Sequence, residues 1–166
     1  YPNKPIKAVF ATSDAWPHVG GIREFAAERI PIYTHRLNKD IISKILAADH
    51  SLLPDAYEKS KVKPKFELVD KPIEFDDSLN PVRILPVDGE GGERMIMLYF
   101  PKSKVLYASD LVQYNARSKS FFSPQYLTEV QTVVERYGLD LETLFAFHTA
   151  PIAYSEMVKS IEKIKP

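Results

Sequence analysis

The 166-residue chain contains no cysteine, which excludes disulfides, thiolate metal sites and a cysteine nucleophile but leaves the cellular compartment open. It has no net charge either, with 22 Lys and Arg against 22 Asp and Glu. It also lacks the basic stripe that marks a nucleic-acid-binding surface. No stretch reaches the roughly 18 to 20 consecutive apolar residues of a membrane-spanning helix. The opening "YPNKPIKAVF" has neither an initiating Met nor the apolar core of a signal peptide. Internal repeats and low-complexity tracts are missing as well. The expected partners are therefore neither nucleic acid nor membrane, and the missing Met suggests a processed or truncated piece of a longer precursor.

The length suits one domain, residues 1–166, large enough to bury a core. "IKAVFAT" (6–12) reads as a buried strand, "IREFAAER" as a helix with Ile22, Phe25 and Ala26 on one face, and "IPIYTHR" as the next strand. Asn38 is expected to cap "KDIISKILAADH", whose Ile41, Ile42, Ile45 and Leu46 form a stripe. A polar stretch from Ser51 to Pro64 holds a short helix around Asp55 to Ser60.

"KFELVD", "KPIEFD", "VRILPV", "RMIMLYF" and "KVLYASD", joined by turn-like "DDSLNP", "DGEGGE" and "PKSK", suggest an antiparallel sheet region. Ser123 and Pro124 are expected to start a helix with the stripe Tyr126, Leu127, Val130, Val133, Val134 and Tyr137, ended by Gly138. "TLFAFHT" reads as a strand. "YSEMVKSIEKI" reads as a terminal helix with Met157, Val158, Ile161 and Ile164 inward. The elements alternate, so the class is α/β, a mixed sheet covered by helices.

Histidine is the most informative scarce residue, with four copies. His35 and His50 read as ordinary surface or helix-end residues. His18 and His148 each follow a strand, and Asp110 ends "KVLYAS"; strand ends at one sheet edge are common places for a site. Two imidazoles and a carboxylate suit Zn, Fe or Mn. Each also has a plain alternative, an imidazole bonded to a loop carbonyl or an aspartate in a turn.

"TSDAWPHVGGIREFAAERIPIYTHRLN" resembles the first metal-binding segment of the metallo-β-lactamase superfamily, H-x-H-x-D-H followed by x-G-G at a strand-to-helix turn. "MIMLYFPKSKVLYASDL" is similar to that family's strand, turn and strand ending in a metal-bridging Asp, here Asp110. "FAFHTA" is similar to the segment with the last His ligand, here His148. The resemblance covers nearly the whole chain. It implies the C-terminal larger part of an αβ/βα sandwich, and a chain that starts late in the family domain. The early strands would be absent, supplied by another chain, or replaced by pairing between copies, so a homo-oligomer is expected.

The departures are selective. On the family motif, Ser13 and Ala15 stand at the first two His positions, Pro17 at the Asp and His18 at the last His. The His ahead of "RMIMLYF" falls near Gly91. By the family's ligand assignment the first metal site keeps no imidazole, whereas the second keeps His18, Asp110 and His148. Asp14 is a candidate for an additional ligand or base, and Trp16 reads as a packed lid over the helix start.

Two functions follow. One is a hydrolase with at most one zinc, iron or manganese ion, acting on a small-molecule ester, thioester or lactone through metal-bound water, whose pKa falls from about 15.7 to about 7. The other is a non-catalytic member of the fold that binds a ligand or partner and no metal. A Ser13, His18, Asp110 triad lacks any identifiable oxyanion hole.

Overall fold

The computed structural model describes residues 3–60, 62–75 and 79–164. Part of the turn expected at "DDSLNP" falls outside these residues, and so does the side chain of Ile164. Two compact units divide the chain, Tyr1–Asp70 and Lys71–Pro166.

The first unit is a parallel sheet in the order β1 (Val9–Ala11), β2 (Ile32–His35), β3 (Phe66–Val69). Parallel neighbours need long crossovers, and helices supply them. They are α1 (Trp16–Val19) and α2 (Ile22–Ala27) after β1, then a 3-10 turn (Arg36–Asn38), α3 (Lys39–Ala47) and α4 (Ala56–Ser60) after β2. Its core joins Ala11 and Ile32 of the sheet to Val19, Ile22, Ala26, Ile42 and Leu46 of the helices. On α3 the inner stripe is Ile42 and Leu46, while Ile41 and Ile45 sit at its margins.

Asn38 does stand at the start of α3, but its side chain makes no capping bond. The cap lies one step earlier, where Nδ1 of His35 accepts the Leu37 amide at 3.3 Å. His35 is buried, so it is a helix-end residue as expected but not a surface one.

Arg23 on α2 was not distinguished by the sequence pattern, yet it is buried. It donates to the carbonyls of Leu46 at 2.7 Å and of Ile45 and Ala48 at 3.3 Å, satisfying groups that a helix C-terminus leaves open. Its Nε meets Asp55 Oδ2 at 2.5 Å, and the Tyr57 ring centroid lies 5.1 Å from the guanidinium carbon. Asp55 in turn accepts the Glu58 amide at 2.7 Å, capping α4. The Arg23 side chain, helped by that amide, holds the Asp55 carboxyl well below the usual carboxylate range. His50 belongs to this cluster, 3.5 Å from Asp55.

The second unit holds a six-stranded mixed sheet. Four strands, β4 (Ile73–Phe75), β5 (Val82–Pro86), β6 (Ile96–Phe100) and β7 (Val105–Tyr107), run antiparallel in sequence order. The sheet continues through β10 (Thr143–Ala146), parallel to β7, to β11 (Thr149–Ala153), antiparallel to β10. "KFELVD" is not part of this antiparallel region: it is β3, parallel to β2, because a helical crossover rather than a hairpin precedes it. A separate hairpin, β8 (Gln113–Asn115) with β9 (Ser120–Phe122), was not anticipated.

Helix α5 (Gln125–Arg136) makes the crossover between β7 and β10, and α6 (Tyr154–Ile164) follows β11. The expected stripe of α5 is buried at Leu127, Val130, Val133 and Val134, against Leu85, Met97, Leu106 and Leu144 of the sheet and Met157 and Ile161 of α6. Burying each such aliphatic side chain contributes about 1.5–3 kcal/mol. Ser123 takes a left-handed φ of 47° and offers its carbonyl, not its hydroxyl, to the Tyr126 amide at 3.0 Å. At the other end Gly138 has φ 57°. The amides of Gly138 and Leu139 return to the carbonyls of Glu135 and Val134 at 3.3 and 3.0 Å, a Schellman termination that uses the glycine as expected.

Candidate functional site

Because β7 and β10 are parallel neighbours, their C-terminal ends share one edge of the sheet, where sites in α/β proteins assemble. The pairing extends past both strands: the Ala108 amide donates to Phe145 at 2.8 Å and the Phe147 amide to Ser109 at 2.9 Å. Ser109 is fully buried with φ 50°, a left-handed conformation costing a non-glycine residue about 1–2 kcal/mol. That bend immediately precedes Asp110. From the opposite side Thr149, also buried, donates to the Val112 carbonyl at 2.7 Å and accepts the Tyr114 amide at 2.9 Å.

Held in this way, Asp110 Oδ1 and His148 Nε2 stand 3.9 Å apart. The carboxylate is mostly covered, at 18% exposure, and the imidazole is open, at 56%. Phe147 meets the His148 ring edge-on, with centroids 4.8 Å apart. The gap exceeds a hydrogen bond. It is close to the separation of two donors on one ion, roughly 3.3–3.5 Å for bonds of about 2.0–2.1 Å. Sequence reasoning missed Ser109 and Thr149. Their only signal was adjacency to Asp110 and His148.

In the first unit, β1 runs into Thr12, which is buried and lies with Oγ1 2.9 Å from His18 Nδ1. Engaging Nδ1 orients the ring, whose Nε2 is shielded from solvent. The three neighbouring motif positions build backbone. Ser13 is buried and accepts the Ala15 amide at 3.2 Å, Ala15 is extended ahead of α1, and Pro17 lies in the helix's first turn, where proline is favoured. Ser13 is thus engaged in a local turn, and the hydroxyl beside His18 is that of Thr12. Asp14 is half-buried in the same turn. Trp16 is 75% exposed rather than a packed lid, although the edge of its indole lies close to Gly20.

The Gly91 position has an occupant of its own. Glu129 on α5 accepts the amides of Gly91 at 2.9 Å and Gly92 at 2.8 Å. A Cβ on Gly91 would stand 2.5 Å from the Tyr126 ring. Among the described residues no group of three or more His, Cys, Asp or Glu side chains is gathered where it could hold a metal ion. Asp110 and His148 are brought together as a pair; His18 is held with Thr12.

No protein-family profile matches the chain, and no curated sequence matches it. Solved structures do. A metallo-β-lactamase from Pontibacter korlensis is similar over 97% of this chain and 70% of its own, with TM-score 0.66 and 15% identity. The metallo-β-lactamase IND-7 is similar over 96% of this chain and 68% of its own, at 0.64 and 16%. The sec-alkyl sulfatase PisA1, as a double mutant, is similar over 98% of this chain but only 33% of its own, at 0.63 and 16%. The chain therefore has the metallo-β-lactamase fold, as its residues suggested, a mixed sheet with helices that corresponds to part of each of these proteins.

Proposed function

We propose that the chain is a metallo-β-lactamase-like hydrolase that uses at most one metal ion, held by His18, Asp110 and His148, on an ester, thioester or lactone-type bond of a small molecule. The observation that carries this reading is the Asp110–His148 pair at 3.9 Å on the shared edge of β7 and β10. By chemical type these donors suit zinc, since two imidazoles and a carboxylate on one ion would leave a tetrahedral position open. When bound, the ion supplies Lewis acidity, acidifying water and polarising a carbonyl. The chain's own part is positional. Thr12 fixes the His18 ring, the strained Ser109 turn and the Thr149 clamp fix Asp110, and the exposed face of His148 leaves an approach for substrate.

The test is metal content. Protein purified without chelator is expected to carry up to one equivalent of zinc, iron or manganese, and added zinc to raise the melting temperature. It is also expected to hydrolyse an ester, thioester or lactone probe in a chelator-sensitive way. Absence of metal together with an unchanged melting temperature would defeat the proposal.

One observation favours the second reading, a non-catalytic member of the fold. The positions corresponding to the first metal's ligands are given over to structure, Ser13 to a turn and Gly91 to the Glu129 carboxylate. Under that reading a small-molecule ligand binds equally well in chelator.

A further inference from the structure

The unanticipated hairpin β8–β9 and helix α6 enclose a hollow of about 240 Å³ that serves neither half of the candidate site. Its wall is aromatic. Tyr114 and Phe121 are cross-strand partners, both half-buried, with ring centroids 4.9 Å apart at 51°. Its rim is cationic, carrying Lys119, Lys159 and Lys163 against the single carboxylate of Glu156. That carboxylate is turned toward Tyr114, whose hydroxyl reaches it at 3.5 Å.

The three ammonium groups come from two different elements. Lys159 and Lys163 lie one turn apart on α6, beside the buried Met157 and Ile161. Lys119 ends the hairpin loop with φ 52°. That loop is fastened by Asn115, whose Oδ1 accepts the amides of Arg117 and Ser118 at 2.9 and 3.2 Å. Like charges gathered from separate elements around one hollow repel one another, and an anion between them removes that repulsion. A lysine is a point-charge phosphate binder, and a half-buried ring pair offers a stacking face. The volume is below the roughly 300–1,000 Å³ of pockets for drug-sized ligands, which limits the occupant to about one ring.

We infer that this hollow binds a single-ring aryl anion of the phosphate or phosphonate class, with its ring against Tyr114 and Phe121 and its charged group among the three lysines.

Phenylphosphonate, which carries ring and dianion on a carbon–phosphorus bond, is the probe. It is titrated into the full chain in chelator, followed by the amide spectrum. Saturable shifts are expected at residues 114, 119, 121, 159 and 163. Methylphosphonate, lacking the ring, and benzyl alcohol, lacking the charge, are each expected to bind at least about fivefold more weakly. Lys159→Gln and Lys163→Gln, at exposed positions on α6, should weaken phenylphosphonate by a similar factor, as should Phe121→Ala. His148→Ala should leave binding unchanged, which separates this site from the proposed hydrolase site. Linear, non-saturating shifts would overturn the inference. So would equal affinity for methylphosphonate, insensitivity to both lysine variants, or loss of binding in His148→Ala.

Discussion

The amide of Gly91 donates to the carboxylate of Glu129 at 2.9 Å, at the place where the fold's relatives, by the motif comparison, would carry a histidine. The loop is thus a hydrogen-bonded turn pinned to α5, with the Gly92 amide donating to the same carboxylate. The absence of a Cβ is part of that turn, since the Tyr126 ring takes the space.

Gly91→His should therefore not restore a first metal site. Overpacking against Tyr126 is expected to cost about 1–3 kcal/mol, or roughly 2–4 °C of melting temperature per kcal/mol for a chain this size. Thermal melts and metal stoichiometry check it. A variant that melts with the parent and binds a second ion would contradict the account of this loop.

Thr12→Val keeps the shape of a buried side chain and removes the contact to His18 Nδ1. Under the one-metal reading, zinc affinity should fall about tenfold or more through loss of ring orientation, while Thr12→Ser should retain most of it. The readout is the zinc concentration needed for half the thermal shift. Equal zinc affinity in parent and Thr12→Val would remove Thr12 from the site.

Acid should loosen the first unit through Asp55. Its folded pKa lies below the unfolded value of about 3.9 because Arg23 favours the carboxylate. Its contribution is thus fully present above the unfolded pKa and is lost as pH falls through the folded value. Asp55→Asn should flatten the acid limb of a stability-against-pH curve below about pH 4 and lower stability at neutral pH. An unchanged acid limb in this variant would show that Asp55 does not couple folding to protons.

Gly138 isolates a backbone effect, since its φ is 57° and a Cβ there would meet nothing within 4 Å. Gly138→Ala should cost about 1 kcal/mol, and Gly138→Asn less, because asparagine tolerates the left-handed region. Denaturant melts distinguish the two; equal stability of all three proteins would mean that the helix end relaxes.

Much of this molecule was legible locally. The stripe of α5 is where its apolar spacing placed it, and Gly138 ends that helix by the expected motif, because a helix face and a left-handed cap depend on a few adjacent residues. Arg23 was not legible: an arginine in a helical pattern reads as solvated, and only the packing of α2 against the end of α3 and Asp55 gives it buried partners. The hairpin β8–β9 escaped because its strands, "QYN" and "SFF", carry no β-branched residue and β8 sets a single tyrosine between two polar side chains, so no apolar run marks it.

By itself the sequence determined which residue types were available for chemistry: no thiolate, four imidazoles, and aspartates at strand ends. It also raised the expectation that Ser13, Ala15 and Gly91 stand where the resembled family has first-metal ligands. The tertiary structure decided that "KFELVD" joins β2 in parallel, and that β10 runs beside β7 so that Asp110 faces His148. The reason is that apolar spacing encodes which face of a segment is buried, whereas strand partners are chosen by how the crossovers close, a property of the whole chain.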